Sequence, residues 1–447
     1  MRRYVIIGNG AAGITAAEEL RRRDARASIT IATDERHAMY SRPGLAYVLI
    51  DEVSAEQAVA RKPEWYARQH IDLIHSRAER IHFEARQVRL ANDQTLPYDA
   101  LLIATGARAV PAPFPGGDLD GVVYLDTLDN TLDIVRRTQS ARSAVVVGGG
   151  ITALELAEGL AHHGVETHYL VRKHNLWSAL LNDNESHLVE RQIQHHGVRI
   201  HYGHEIAEIA GERGKVAAVR TTQGEVIPCQ IVGVAIGVRP NLALTKDTPL
   251  NVDRGILTDE YLQTNVPGVF AVGDCAQIFD VWSGEHRVDS LWPTAVASGH
   301  AAAQNMLGLK HPYHKGVPFN AALLFGLHLT AIGQVAAAGR GGDEEAEELS
   351  FISRGSSEVW TAKPGGGYTS AWADDGTSSQ RLVVRDTTIV GALLLGNQRL
   401  ADPLRDLINQ RIDIGAVRSR LTTGGNILAE AVMEAWTHRK SVLSASP

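Results

Sequence analysis

Tyr4-Val5-Ile6-Ile7-Gly8-Asn9-Gly10-Ala11-Ala12-Gly13 decides how the chain is read. Residues 4–7 have the apolar run of a short buried strand, and residues 14–22 the pattern of the helix that follows. Between them lies a G-x-G-x-x-G turn. Gly8 permits the tight turn, Gly10 leaves no side chain where a phosphate would lie, and Gly13 lets helix and strand approach. The turn, with Asn9, Ala11 and Ala12 filling its remaining positions, is expected to seat a dinucleotide pyrophosphate on the helix N-terminus. Glycine-rich turns are common, so the motif gains its weight from what recurs later.

It recurs at Ala144-Val145-Val146-Val147-Gly148-Gly149-Gly150-Ile151-Thr152-Ala153, where G-x-G-x-x-A is an accepted variant. Gly148, Gly150, Ile151 and Thr152 form the expected second phosphate turn. A helix over 152–162 ends at His163-Gly164, and a strand runs through Val171. Pro111, Pro113 and Pro115 with Gly116-Gly117 mark a linker between the two units. Two such units in one chain imply an α/β protein holding two dinucleotides.

The ends of the second strands suggest how each ribose is held. After the strand at 27–33 come Asp34 and Glu35, and an acid at about this distance from the glycines accepts from a ribose hydroxyl. Glu35 is the favoured acceptor; the alternative is a solvated turn acid. In the second unit the corresponding position is Val171, followed by Arg172 and Lys173. Arginine there accommodates a 2′-phosphate, which favours NADPH over NADH. The alternative is two solvated basic residues.

Composition narrows the class. The 447 residues exceed one ordinary core, so two or three domains are expected. A net charge of −7, from 44 basic and 51 acidic residues, disfavours a dedicated nucleic-acid binder. The two cysteines, Cys229 and Cys275, form no C-x-x-C, so no disulfide framework or zinc site is suggested and no metal is expected. No apolar run is long enough to span a membrane. The first strand begins at Tyr4, leaving no room for a signal peptide, so a cytoplasmic location is expected. His162-His163 and His195-His196 stand before glycines at helix ends, where histidine and glycine are ordinary termination chemistry.

Further stretches carry a resemblance. Tyr40-Ser41-Arg42-Pro43-Gly44-Leu45 resembles the Y-x-R-P-x-L segment of the FAD-dependent pyridine nucleotide oxidoreductases, of the NADH:rubredoxin reductase, ferredoxin reductase and nitrite reductase flavin-domain type. Thr264-Asn265-Val266-Pro267-Gly268-Val269-Phe270-Ala271-Val272-Gly273-Asp274-Cys275-Ala276 resembles their T-x-x-P-x-V-F-A-x-G-D-x-A signature. Ala104-Thr105-Gly106 resembles the end of the first flavin lobe, and Gly237-Val238-Arg239-Pro240-Asn241 the end of the nicotinamide domain.

The resemblance implies two Rossmann-like domains and a C-terminal α+β domain. The FAD domain would occupy 1–112 and 245–319, the NAD(P) domain 113–244, and an interface or dimerisation domain 320–447. It implies that Arg42 and Pro43 contact the flavin, Ala78 the adenine, and Asp274 the ribityl hydroxyls, with Gly273 allowing close approach. Glu155 would face the gap between flavin and nicotinamide, or simply favour its helix dipole. Trp292 would cover the ring near an acceptor, or simply pack. With Glu155, Arg42 and Trp292 as candidate catalytic residues, the implied activity is hydride transfer from NAD(P)H to FAD. Electrons would pass on to an external partner, a small iron-sulfur protein, and a homodimer is among the expected partners. An oxidase or diaphorase using oxygen or quinone, or a flavin-bound sensor, are the alternatives.

Two departures qualify the resemblance. Relatives that use a redox cysteine carry it where Pro43 stands, so cysteine chemistry is excluded there. The flavin-proximal lysine of some ferredoxin reductases is replaced by Tyr47. A glycine turn and acidic run at 339–348 reads as a solvated loop, and the stretch 355–380 carries Trp360, Tyr368 and Trp372 as core or partner surface.

Overall fold

A computed structural model of the chain describes residues 1–177, 180–281, 284–336, 349–351, 360–362 and 368–444. They fold as two compact units, one of residues 1–110, 126–132 and 238–315, the other of 111–125, 133–237 and 316–447.

The first unit is built on a five-stranded sheet in the order Val269–Ala271, Ala100–Ile103, Arg3–Ile7, Ser28–Thr33, Ile71–His75, all parallel. A parallel sheet covered on both faces needs strands that are apolar on both sides, and Tyr4 to Ile7 are all buried. Tyr4 and Ile6 enter one core with Ile14 and Leu20 of the Ala11–Arg23 helix and Ala302 and Met306 of the Trp292–Met306 helix. Val5 and Ile7 face the other way, into a core with Ala78, Ile81, Val88 and Leu90. The two helices pack closely because their contact is made of small residues: a Cβ on Gly299 would stand 2.3 Å from the Ala12 carbonyl oxygen. Ala78–His82 pairs antiparallel with Gln87–Leu90, which in turn pairs with Thr95–Pro97, in a separate three-stranded sheet. Pro97 lacks a donor and is accommodated because its strand is at the edge.

The second unit repeats the parallel plan in the order Arg199–Tyr202, Glu166–Val171, Ser143–Val147, Ile231–Val234, Val122–Val123. Its helix Asp183–His195 opens with a capping box, in which Asn182 accepts from the Glu185 amide and Glu185 from the Asn182 amide. Both histidine pairs sit at helix ends, with His163 and His196 as the C-cap residues.

Residues 316–444 add an antiparallel five-stranded sheet, Phe319–Leu324, Leu327–Gly333, Thr388–Leu395, Ser379–Arg385, Tyr368–Asp374. The helices Ala401–Asn409, Arg418–Thr423 and Asn426–Ser444 close one core with it, through Leu404, Leu407, Leu421, Leu428 and Val432. Polar contacts tie this layer to the parallel sheet's helices, among them Arg191, which donates to the Gly376 carbonyl at 2.6 Å. The Phe325 amide donates to Glu158 at 2.6 Å, and Arg381 Nε lies 3.1 Å from Glu185 Oε1, both side chains 1% exposed. The acidic run at 339–348 lies outside the described residues, as do 355–359 and 363–367 of the aromatic segment. No helix among the described residues is long and apolar enough to cross a membrane.

Candidate functional site

The first glycine turn opens onto a cavity of about 480 Å³, lined by Gly8, Asn9, Gly10, Glu35, Arg42 and Ala78 among others. Gly8 has φ +113°, and a Cβ on it would stand 2.1 Å from the Ala104 carbonyl oxygen, so this turn requires glycine. A Cβ on Gly13 would meet the Gly8 carbonyl oxygen at 2.1 Å, the close helix-to-strand approach expected of it. Gly10 differs: nothing lies within 4 Å of the position its Cβ would take.

Gly10 is also the N-cap of the Ala11–Arg23 helix and supplies no side-chain cap, so first-turn N–H groups are left for an outside acceptor. Beside it, Asn9 accepts from Tyr66 at 2.9 Å, while its buried Nδ2 has no partner among the described residues. An open, donor-rich cradle with an unmatched amide fits the pyrophosphate of a dinucleotide. Ala104, Thr105, Gly106 and Asp34 also line this cavity, whereas Ala11, Ala12, Gly13 and Pro43 are not among its lining.

The sequence does not reveal how the far end of the cavity is wired. Glu35 accepts from Tyr40 at 2.5 Å and from Arg42 at 2.5 Å. Arg42 also donates to the Asp126 carbonyl and lies 5.7 Å from the centre of the Tyr40 ring. Burial opposes the charge on Arg42, yet Tyr40, Glu35, Asp126 and Asp274 around it hold its pKa above the ordinary arginine value. Burial, reinforced by Glu35, raises Tyr40, so its phenol stays protonated and donates. Arg42 thus stands in the cavity as a fixed cation orienting Glu35. Asp34 is paired with Arg108.

The signature near 264–276 delivers Gly273, Asp274 and Cys275 in one turn after the Val269–Ala271 strand. Cys275 is wholly buried, its thiol against the Ile103 and Val272 carbonyls, and burial raises its pKa. Trp292 begins the following helix, partly buried against the first core. That helix start is held by Asp289, which accepts from Thr294 at 2.9 Å and from the Leu291 amide at 3.1 Å. Asp289 is itself gripped by Lys315 at 2.8 Å, and Lys315 also meets Asp280 at 3.1 Å, all three largely buried. Burial disfavours the Lys315 charge, but Asp289 and Asp280 outweigh it and raise its pKa. No sequence pattern marks this triad.

The second glycine turn is built like the first. Gly148 has φ +150° and its Cβ would stand 2.1 Å from the Ala235 carbonyl oxygen. Gly150 is the N-cap of the Ile151–His162 helix without a side-chain cap. Ile151 is buried, and Thr152 and Glu155 are half-buried on that helix. Gly237, with φ +122°, follows the Ile231–Val234 strand. Arg172 and Lys173 are exposed just past Val171, and Arg172 Nε lies 3.4 Å from Glu205.

Comparison with known proteins bears on this pair of turns. The family described as pyridine nucleotide-disulphide oxidoreductase matches residues 2–299. The chain is 27% identical over 418 residues to the nitrite reductase (NAD(P)H) of Bacillus subtilis, a match covering 92% of this chain and 48% of that protein. It therefore spans about half the length of that relative. It is 30% identical over 306 residues to the nitric oxide reductase FlRd-NAD(+) reductase of Vibrio vulnificus, covering 68% of this chain and 78% of that protein. Among solved structures, a ferredoxin reductase from Rhodopseudomonas palustris matches with a TM-score of 0.78 at 25% identity, over 91% of this chain and 94% of that one.

Proposed function

This chain belongs to the pyridine nucleotide-disulphide oxidoreductase family, and on that footing we propose that it is an FAD-dependent NAD(P)H reductase serving a small iron-sulfur protein. When bound, FAD would supply the hydride and electron chemistry between NAD(P)H and the acceptor. The chain's own residues bind and orient. Uncapped N–H groups after Gly10, with Asn9, hold the pyrophosphate of FAD, and Glu35, fixed by Arg42 and Tyr40, accepts from its ribose hydroxyls. Asp274 meets the ribityl hydroxyls. The N-terminus of the Trp292–Met306 helix, steadied by Asp289, favours negative charge at the ring. Glu155 orients the nicotinamide.

The observation that carries the reading is the Gly10 cradle, open above the glycine and bordered by an unmatched Asn9 amide. The acceptor is read as external because Pro43 offers no thiol at the position where relatives keep one, and both cysteines are buried and unpaired. Anaerobic mixing of the purified flavin-loaded chain with NADPH and then NADH tests the proposal. Bleaching of the flavin absorbance is expected, and a flavin that stays oxidised with both refutes it.

NADPH is the preferred donor in this reading, through Arg172 and Lys173. A second reading is favoured by one observation: Glu205 stands beside Arg172 and could accept from a ribose 2′-hydroxyl, which suits NADH. Changing Arg172→Glu with Lys173→Ser should raise KM for NADPH more than for NADH. An equal effect on both refutes the 2′-phosphate assignment.

A further inference from the structure

Away from both glycine turns, the second unit gathers three side chains that the sequence reading passed over. His201 is the penultimate residue of the Arg199–Tyr202 strand, a left-handed Gly203 (φ +71°) turns the chain, and His204 follows. Glu225 comes from the turn between the Lys215–Thr221 and Val226–Pro228 strands. One nitrogen of each histidine and one Glu225 oxygen all lie within 4.8 Å of one another.

The spacing discriminates between two explanations. Glu225 Oε2 is 3.4 Å from His201 Nδ1 and 3.4 Å from His204 Nε2. A direct imidazolium–carboxylate hydrogen bond would close to about 2.7–2.9 Å. Two ligand atoms each about 2.1 Å from a tetrahedral zinc ion stand about 3.4 Å apart.

The outer nitrogens agree with the second explanation. His204 Nδ1 lies 2.8 Å from the Tyr202 carbonyl, to which it can only donate, so in the neutral ring Nε2 carries the lone pair that faces Glu225. His201 Nε2 lies 2.9 Å from His168 Nδ1; with its hydrogen on Nε2, His201 donates outward and presents the Nδ1 lone pair inward. A lone pair aimed at a carboxylate is repulsive unless a proton or a metal ion lies between them, and the 3.4 Å gaps are longer than a proton bridges well but match two ligands of one ion. Metal-bound histidines in general fix their other nitrogen in this way.

The frame is also tied down. The Gly203 amide donates to the Val171 carbonyl at 2.8 Å, the Thr222 amide to the Glu205 carbonyl at 2.9 Å, and the Thr221 amide to the Glu225 carbonyl at 2.8 Å. The three donors therefore sit on backbone that is set before any ion arrives.

We propose that His201, His204 and Glu225 form a binding site for a divalent transition metal of the zinc type, with a remaining position for water. Two imidazoles and one carboxylate suit zinc, whereas calcium and magnesium prefer all-oxygen ligands. The site tethers the strand end at 201–204 to the turn at 222–225, beside Glu205 and its partner Arg172.

The test uses the full, flavin-loaded chain, stripped with chelator and titrated with Zn²⁺ against a competing indicator. One equivalent should bind tightly, and His204→Ala and Glu225→Gln should each weaken it by at least about 100-fold, with His168→Ala weakening it by about 10-fold or more. The control variant His162→Ala/His195→Ala should bind as the parent does. Co²⁺ in place of Zn²⁺ should give tetrahedral absorption beyond the flavin bands, abolished in Glu225→Gln. Because Glu225 is exposed, that variant should retain its fold and flavin. Binding no tighter than that of the His204 variant, or an undiminished equivalent in both variants, overturns the proposal.

Discussion

Replacing Gly10 by alanine should separate loss of cofactor from loss of fold. Gly10 sits at φ −86°, ψ −171°, a conformation alanine adopts freely, and its new methyl would meet no protein atom within 4 Å. Restricting the unfolded chain at such a position stabilises by about 0.4–1 kcal/mol. The flavin-free variant should therefore melt no lower than the parent. The methyl would instead occupy the open face where backbone N–H groups receive a pyrophosphate. Losing one charge-assisted hydrogen bond there costs about 1.5–3 kcal/mol, or roughly 10- to 150-fold in FAD affinity.

Gly8→Ala is the contrasting control. Its φ of +113° and the 2.1 Å approach to the Ala104 carbonyl mean that strain of about 1–3 kcal/mol or more enters the fold itself. The assay is FAD titration of flavin-free protein by fluorescence quenching, with melting followed by circular dichroism. If Gly10→Ala binds FAD as tightly as the parent, or melts as low as Gly8→Ala, the cradle assignment is wrong.

Three further outcomes are expected. Lys315→Met should cost about 3–5 kcal/mol in urea denaturation, since it removes the ammonium held between the largely buried Asp280 and Asp289; a loss under about 1 kcal/mol would show the triad to be solvated. Glu185→Ala should cost about 3 kcal/mol by removing the carboxylate opposite the buried Arg381, which still donates to the Leu180 carbonyl, whereas Glu185→Leu with Arg381→Met should recover most of that loss; strict additivity of the single changes would deny the coupling. Burial pushes the Cys229 thiol up to about 12 and raises Cys275. Both thiols are held above the unfolded value of about 8.5, so their contribution is complete below that pH and is lost as pH rises, for Cys229 as it climbs toward about 12. Native protein should resist alkylation at pH 8.5 while unfolded protein reacts at both thiols, and stability should fall on the alkaline side; rapid native labelling of either cysteine would contradict this.

The features legible in the sequence share a physical character. Gly8, Gly13 and Gly148 are required by local backbone geometry, and the strands at 4–7 and 144–147 are apolar because both faces of a parallel sheet are covered. The glycines are legible because their positive φ or tight turn recurs at fixed spacing, even though Gly8 and Gly148 also meet the distant Ala104 and Ala235 carbonyls. The strands are legible because their apolar runs are contiguous. The pairings that furnish the site leave no such pattern. Arg42 was legible as a cavity residue, but its grip on Asp126 depends on a segment returning from far along the chain.

Lys315 and Arg381 read as ordinary surface charges until folding buries them against carboxylates. The H-x-x-H spacing of His201 and His204 was visible, yet on a strand end and a turn it carries no helical periodicity, and Glu225 joins it only through the neighbouring hairpin. Meanwhile the more conspicuous pairs, His162-His163 and His195-His196, are helix endings.

The pair formed by Glu185 and Arg381 also bears on how this architecture can be shortened. A shortened chain without residues 316–447 would keep Glu185 in its capping role but would open its other oxygen to water, relieving the burial that Arg381 now offsets. Within the intact chain, replacing either partner alone leaves the other buried opposite a changed neighbour, so the two positions are expected to vary together. The contact therefore couples the two layers: a change at either residue is felt by the other.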